Sequence, residues 1–189
     1  PLITLNNASF AYVNQSSHHK QLKNWQFDAN DIYVDSLYTQ IQFSLLEQTN
    51  LDAHIKYLRL KEKSGFKLSN LSTYVEITDS SFVIPYTTLD LPNTNLATDS
   101  TIIKITRNSE EKIDWTKTHF KFNISKANIN LSDLKHFVPE LEKLKRSASI
   151  SAKIDGTVDN IKATNLRATY GNTLSISADI DAMGFPDIK

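Results

Sequence analysis

The chain has no cysteine among its 189 residues, only four glycines and five prolines, and no excess of charge of either sign, with 21 Lys+Arg against 21 Asp+Glu. Without cysteine there are no disulfides, no thiolate metal sites and no cysteine nucleophile. Four glycines leave no phosphate-cradling loop and no Gly-x-Ser-x-Gly elbow. A balanced charge supplies no basic field for nucleic acid, and aromatics do not interleave with a basic patch as single-strand binding requires. No apolar run reaches the ~20 residues of a membrane-spanning helix, and no charged segment leads into an apolar one as in a signal peptide. A first residue of Pro1 and an abrupt "GFPDIK" ending suggest a piece of a longer or processed chain.

What the sequence does have is alternation. In "ASISAKIDGTV", Ala148, Ile150, Ala152, Ile154, Gly156 and Val158 share one parity, and Ser149, Ser151, Lys153, Asp155 and Thr157 take the other. "LSISADIDA" sets Leu174, Ile176, Ala178, Ile180 and Ala182 against Ser175, Ser177, Asp179 and Asp181. Phe120, Phe122 and Ile124 form a further series, continued after a slip by Ala127, Ile129 and Leu131; Leu71, Thr73, Val75 and Ile77 make another, followed by Phe82, Ile84 and Tyr86. Earlier strands are expected at "ITL", "ASFAYV", "NWQFDANDIYV", "YTQIQFSLL" and "DAHIKYLRL". A period of two is the mark of antiparallel strands with one dry and one wet face.

Parity slips at Tyr57–Leu58, Leu68–Leu71 and Thr88–Leu89. A slip turns the wrong side chains inward unless a bulge absorbs it, so repeated slips predict bent strands in a curved sheet. Pro85 and Pro92 point to bulges or edges. An Asn-aliphatic phrase recurs at Asn50-Leu51, Asn70-Leu71, Asn95-Leu96, Asn128-Ile129 and Asn165-Leu166. It is either a loose structural repeat or the common way a turn leads into a strand.

One segment breaks the pattern. In "LSDLKHFVPELEKLKR", Leu134, Phe137, Val138, Leu141 and Leu144 recur at helical spacing. Ser132 is the expected N-cap, and Pro139 predicts a kink or two short helices rather than one rod. The fold class expected is thus mostly β, a curved antiparallel sheet with one short helical insertion near 132–146.

Chemistry is harder to find. His18-His19 sits in a polar stretch, His54 shares the wet parity of Asp52 and Lys56, and His119 and His136 lack partners at zinc-ligand spacing. His136 is expected to be solvated. Glu110-Glu111 lies in an expected hairpin loop, and Asp179 and Asp181 lie on a polar strand face. No catalytic, metal or cofactor residues are assigned, and an enzyme is not expected.

Two stretches carry a family resemblance: "LRLKEKSGFKLSNLSTYVEI" through "LDLPNTNLATDSTIIKI", and "LSDLKHFVPELEKLKRSASISAKIDGTVDNIKATNLRATYGNTLSISADI". In this order they resemble the large TamB (translocation and assembly module) proteins of the Bacteroidetes type, within the AsmA-like group. The resemblance spans roughly residues 58 to 185. It implies a β-taco or half-pipe with a hydrophobic interior, in a periplasmic protein anchored in the inner membrane by a helix outside this chain. It further implies a role in outer-membrane biogenesis, protein secretion and lipid transport, with phospholipids or outer-membrane-protein clients in the groove and an Omp85-type partner for the full-length protein. The family's C-terminal domain is not recognisable here, which puts direct Omp85 contact by this segment in doubt. Residues 1–189 are then one fragment of a repetitive β protein, with sub-units at 1–64, 65–131 and 132–189. No catalytic residues carry over. What does is the inward parity: Ile55, Tyr57, Val75, Ile77, Phe82, Ile84, Phe120, Phe122, Ile124, Ile150, Ile154, Val158, Leu174, Ile176 and Ile180. The alternative is a closed β-sandwich serving as a binding or adhesin module of the cell envelope.

Overall fold

The computed structural model describes residues 1–14, 22–45, 50–144, 146–171 and 174–183. Ten strands follow one another: β1 (Leu2–Val13), β2 (Asp31–Leu45), β3 (Leu51–Glu62), β4 (Lys67–Ile77), β5 (Ser81–Asp90), β6 (Asn95–Lys104), β7 (His119–Asn130), β8 (Ser147–Thr157), β9 (Asn160–Tyr170) and β10 (Leu174–Met183). Each pairs antiparallel with its neighbour in sequence, so the sheet is a ten-stranded meander. Its hairpins use local chemistry. Asn95 closes the β5–β6 turn by donating from Nδ2 to Asp90 Oδ1 at 2.6 Å, while Thr78 and Ser81 cap β4–β5 through hydroxyls 2.9 Å apart. The expected loop at Glu110-Glu111 is a small hairpin closed by a bridge between Arg107 and Ile113.

Curvature comes from bulges. Eight of the nine strand pairs slip register, and only β5–β6 runs evenly. An extra residue in one strand bends it and sharpens its twist. Asn7, Ser36, Ser100 and Asn165 take φ values of 53–55° where the ladder slips. This left-handed region usually goes to glycine but is tolerated by Asn. A chain short of glycine thus bends its strands with Asn and Ser.

The slips read at Tyr57–Leu58 and Leu68–Leu71 coincide with bulges on β3 and β4. The third lies elsewhere. Thr88 and Leu89 pair evenly with both neighbours, and the irregularity falls between Val83 and Thr87, around Pro85, whose missing N–H suits a broken ladder. "ITL" and "ASFAYV" form one strand rather than two. So do "DIYV" and "YTQIQFSL", because bulges at Asn7 and Ser36 carry the pairing through.

The insertion is two 3₁₀ turns, Leu131–Leu134 and Pro139–Lys143, separated by the proline break. The cap is Asn130, whose side chain accepts from the Ser132 N–H, rather than Ser132 itself. The expected helical face does not form: Phe137 and Val138 are half exposed. The segment instead lies as a strap across one end of the sheet. It starts between β7 and β8, yet His136 O accepts from the Phe27 N–H at 2.8 Å and Phe137 packs on Phe27 and Phe66 with ring centroids 5.3 and 5.0 Å apart. These partners sit in the β1–β2 and β3–β4 connections, several strands away. His136, expected to be solvated, donates from Nδ1 to the Trp25 carbonyl at 2.7 Å. His18 and His19 lie outside the described residues.

The sheet passes without a break through 64/65 and 131/132, the sub-unit boundaries read from sequence. There is also no second sheet among the described residues, so the closed sandwich has no counterpart.

Candidate functional site: an open apolar face

Residues directly opposite each other in an antiparallel pair point to the same side, so registers trace a face from strand to strand. One row begins Leu5–Thr39–Leu58–Leu71–Leu89. It continues Leu96–Ala127–Ile150–Ala168–Ile176 and so crosses all ten strands. Every member but Thr39 is apolar. A second row runs Ile77–Phe82–Ile103–Phe120–Gly156–Ile161. Between them Phe122 faces Ile154, which faces Ala163, which faces Ile180.

This face is the inside of the curve. The buried strand residues, Val34, Thr39, Glu62, Leu68, Thr73, Thr101, Ala127 and Ala152, all stand on it by register. In a single layer, side chains become buried on the side over which the sheet folds, and small Ala and Thr occupy the tightest places. The threonines there have a defined task. Thr39 Oγ1 donates to the Tyr57 carbonyl at 2.9 Å and Thr73 Oγ1 to the Tyr86 carbonyl at 3.0 Å, both on strand stretches where the ladder is irregular.

The face is also open. Among the described residues only five apolar ones are buried, while Ile3, Leu5, Phe10, Leu174, Ile176 and Ile180 on the outer strands are 37–52% exposed. The total accessible surface is 12508 Å², whereas a compact monomer of this mass exposes about 9,100 Å². Soluble monomers rarely expose contiguous apolar patches beyond a few hundred Å².

Of the sequence-predicted lining residues, Ile55, Val75, Ile77, Phe82, Ile84, Phe120, Phe122, Ile124, Ile150, Ile154, Leu174, Ile176 and Ile180 stand on this face by register. Two do not. Tyr57 pairs with Gln40 on the polar face and holds the Arg59 guanidinium 5.5 Å from its ring, because the β3 bulge reverses parity between Ile55 and Leu58. Val158 lies in the two-residue turn after β8. Sequence reasoning left Leu58, Leu89 and Leu96 out of the lining, and Leu71 too although it heads the alternating series of Val75 and Ile77; together they are the aliphatic centre of the first row. Leu71 and Leu96 belong to the recurring Asn-aliphatic phrase, which was their signal.

The opposite face is polar. Tyr86, grouped by parity with Ile84, stands here with its hydroxyl 3.0 Å from His54 Nε2. The Tyr74 hydroxyl titrates above its ordinary range, chiefly through its hydrogen bond to Asp52. His119 and Lys121 both meet Asp155, at 3.0 and 3.4 Å. Asp179 accepts from the Asn165 N–H at 2.7 Å, satisfying the β9 bulge. Among the described residues no group of three His, Asp or Glu converges as a metal cage, and no helix is long and apolar enough to cross a membrane. Comparison with family models, with curated proteins and with solved structures finds no match.

Proposed function

We propose that this chain is a non-enzymatic segment of a periplasmic bridge between inner and outer membranes, of the TamB kind, whose trough shelters phospholipid acyl chains or extended outer-membrane-protein clients. The carrying observation is the apolar row that crosses ten strands on the concave side of a one-layer sheet. Each acyl CH₂ moved from water onto such a surface gains about 0.8 kcal/mol at full burial and needs no polar partner. A passive conduit wants that: favourable contact everywhere and no site that holds one molecule. The outer edges of β1 and β10, which pair with no further strand among the described residues, give similar strands a place to extend the trough, and give an extended client a place to pair. The Omp85-type partner and the inner-membrane anchor belong to the full-length protein in this reading.

A photo-crosslinking amino acid at Phe122 or Ile154, in cells or with envelope phospholipids, is expected to capture lipid or client. The same group at Lys153, which pairs with Asn123 on the polar face, is expected to capture neither. Equal adducts on both faces, or none on either, would count against the trough.

A further inference from the structure

A cleft of about 660 Å³ opens on the strands β2, β3 and β4, lined by Ser36, Tyr38, Tyr57, Arg59, Lys61, Leu60, Lys67, Leu68 and Ser69. Its polar-face members are set by register: Tyr38 faces Arg59, and Lys61 faces Lys67. Like charges directly opposite each other on a strand pair cost stability. Here two lysines do so, with Arg59 two residues along the same side of β3.

Among the described residues no carboxylate forms an ion pair with these three cations. Asp35 lies opposite Lys61 on β2, but its carboxylate accepts from the Ser36 N–H at 2.7 Å and forms no ion pair with Lys61. Glu62 is buried and turned to the backbone N–H groups of Ser64 and Tyr33. Asp31 is engaged by Lys63. Three cations therefore share one concavity with a single carboxylate, Asp35, beside them, which leaves an excess of positive charge next to two tyrosine rings, one already stacked by Arg59. The volume falls in the range of small-molecule sites, about 300–1,000 Å³.

We infer that this cleft binds a phosphate ester, with the phosphate between Lys61, Lys67 and Arg59 and the organic body against Tyr38 and Tyr57. Lysine and arginine give charge-assisted hydrogen bonds to phosphate oxygens, and a tyrosine ring offers a flat apolar surface to the attached group. The inference stands apart from the trough, since these rings and charges lie on the other side of the sheet. The source of the ester is either a soluble phosphorylated metabolite or an anionic lipid headgroup.

Calorimetric titration of the whole chain distinguishes them. The probes are inorganic phosphate, p-nitrophenyl phosphate, and phosphatidylcholine vesicles with or without phosphatidylglycerol. Expected is binding of p-nitrophenyl phosphate tighter than inorganic phosphate, weakened at least tenfold by Lys61→Gln/Lys67→Gln and unchanged by Lys153→Gln. Tyr57→Leu should abolish the preference for the aryl ester. Binding only to phosphatidylglycerol vesicles, with the same dependence on Lys61 and Lys67, would support the site and assign it to a headgroup. No binding to any probe, or equal loss from Lys153→Gln, would overturn it. Folding is checked independently: Lys67→Gln should hold or raise the melting temperature by removing repulsion, and a clear drop would overturn the inference by showing that the lysine already has a partner.

Discussion

Thr73 Oγ1 donates to the Tyr86 carbonyl at 3.0 Å from a position that is only 7% exposed, and lies 2.9 Å from Thr87 Oγ1. A hydroxyl on an apolar face thereby supplies the donor that the irregular β4–β5 ladder withholds. Thr73→Val keeps the shape and removes the donor, so it should cost about 1 kcal/mol, the usual net worth of a partly buried hydrogen bond. Urea denaturation with an unchanged m-value and a lowered midpoint is the expected result. An unchanged midpoint would mean that water reaches the Tyr86 carbonyl.

Among the described glycines, Gly156 is the one whose place leaves no room for a side chain against backbone as well as demanding its angle. Its φ is +144°, and a Cβ there would lie 2.0 Å from the Asn160 carbonyl oxygen across the β8–β9 turn. Gly156→Ala must therefore push the strands apart or abandon the backbone conformation, at a cost of roughly 2 kcal/mol or more. Thermal unfolding should show a drop of several degrees. Full stability in the variant would show that the turn is built differently.

The strands and their wet and dry faces were legible because a period of two survives wherever pairing is regular, as along Phe120, Phe122 and Ile124 or Ile150 and Ile154. What stayed hidden was the residue at which a slip takes effect: the one read at Tyr57–Leu58 falls between Ile55 and Tyr57 in the β2–β3 register and puts Tyr57 on the polar face, and the one read at Thr88–Leu89 falls between Val83 and Thr87 and puts Tyr86 there too. The proline at 85 was the better marker there, since its missing N–H fits where the ladder is already broken. Hidden too was the strap. Helical spacing at Leu134, Phe137 and Leu141 reports local periodicity, while the contacts of Phe137 with Phe27 and Phe66 are long-range and leave no pattern. The cleft charges Lys61 and Lys67 become neighbours only once the β3–β4 register is known.

Asp114 makes the 105–118 connection sensitive to acid. The Thr116 hydroxyl donates to Asp114 Oδ1 at 2.6 Å and is the main reason its carboxyl titrates below the ordinary carboxylate value, with the Lys117 and Thr116 N–H groups adding to it against a smaller opposing effect of desolvation. A depressed folded-state pKa stabilises the native form above the unfolded pKa, and that contribution is lost as pH falls through the folded value. Local order in the loop should therefore decline only in clearly acidic solution. Thr116→Val should move the Asp114 titration upward. Carboxyl NMR titration reads both, and a titration unmoved by the substitution would contradict the assignment.

The strap gives the last prediction. His136 joins the β7–β8 connection to the β1–β2 connection through Nδ1–H to the Trp25 carbonyl, and its ring meets Phe66 edge-on at 6.0 Å. A flat sheet would hold these connections several strand spacings apart, at about 4.8 Å each, so the strap helps fix how far the sheet curls. His136→Ala removes one hydrogen bond and one ring contact, about 1–3 kcal/mol together, and it acts on the curve rather than on any strand pair. Amide exchange should then quicken at Phe27, whose N–H is held by the His136 carbonyl, while the paired amides of β7 and β8 keep their protection. Binding of an apolar dye to the concave face should rise as the curve relaxes. Quickened exchange throughout the sheet would instead make His136 a global stabiliser, and unchanged exchange at Phe27 would remove the strap's role in setting the curve.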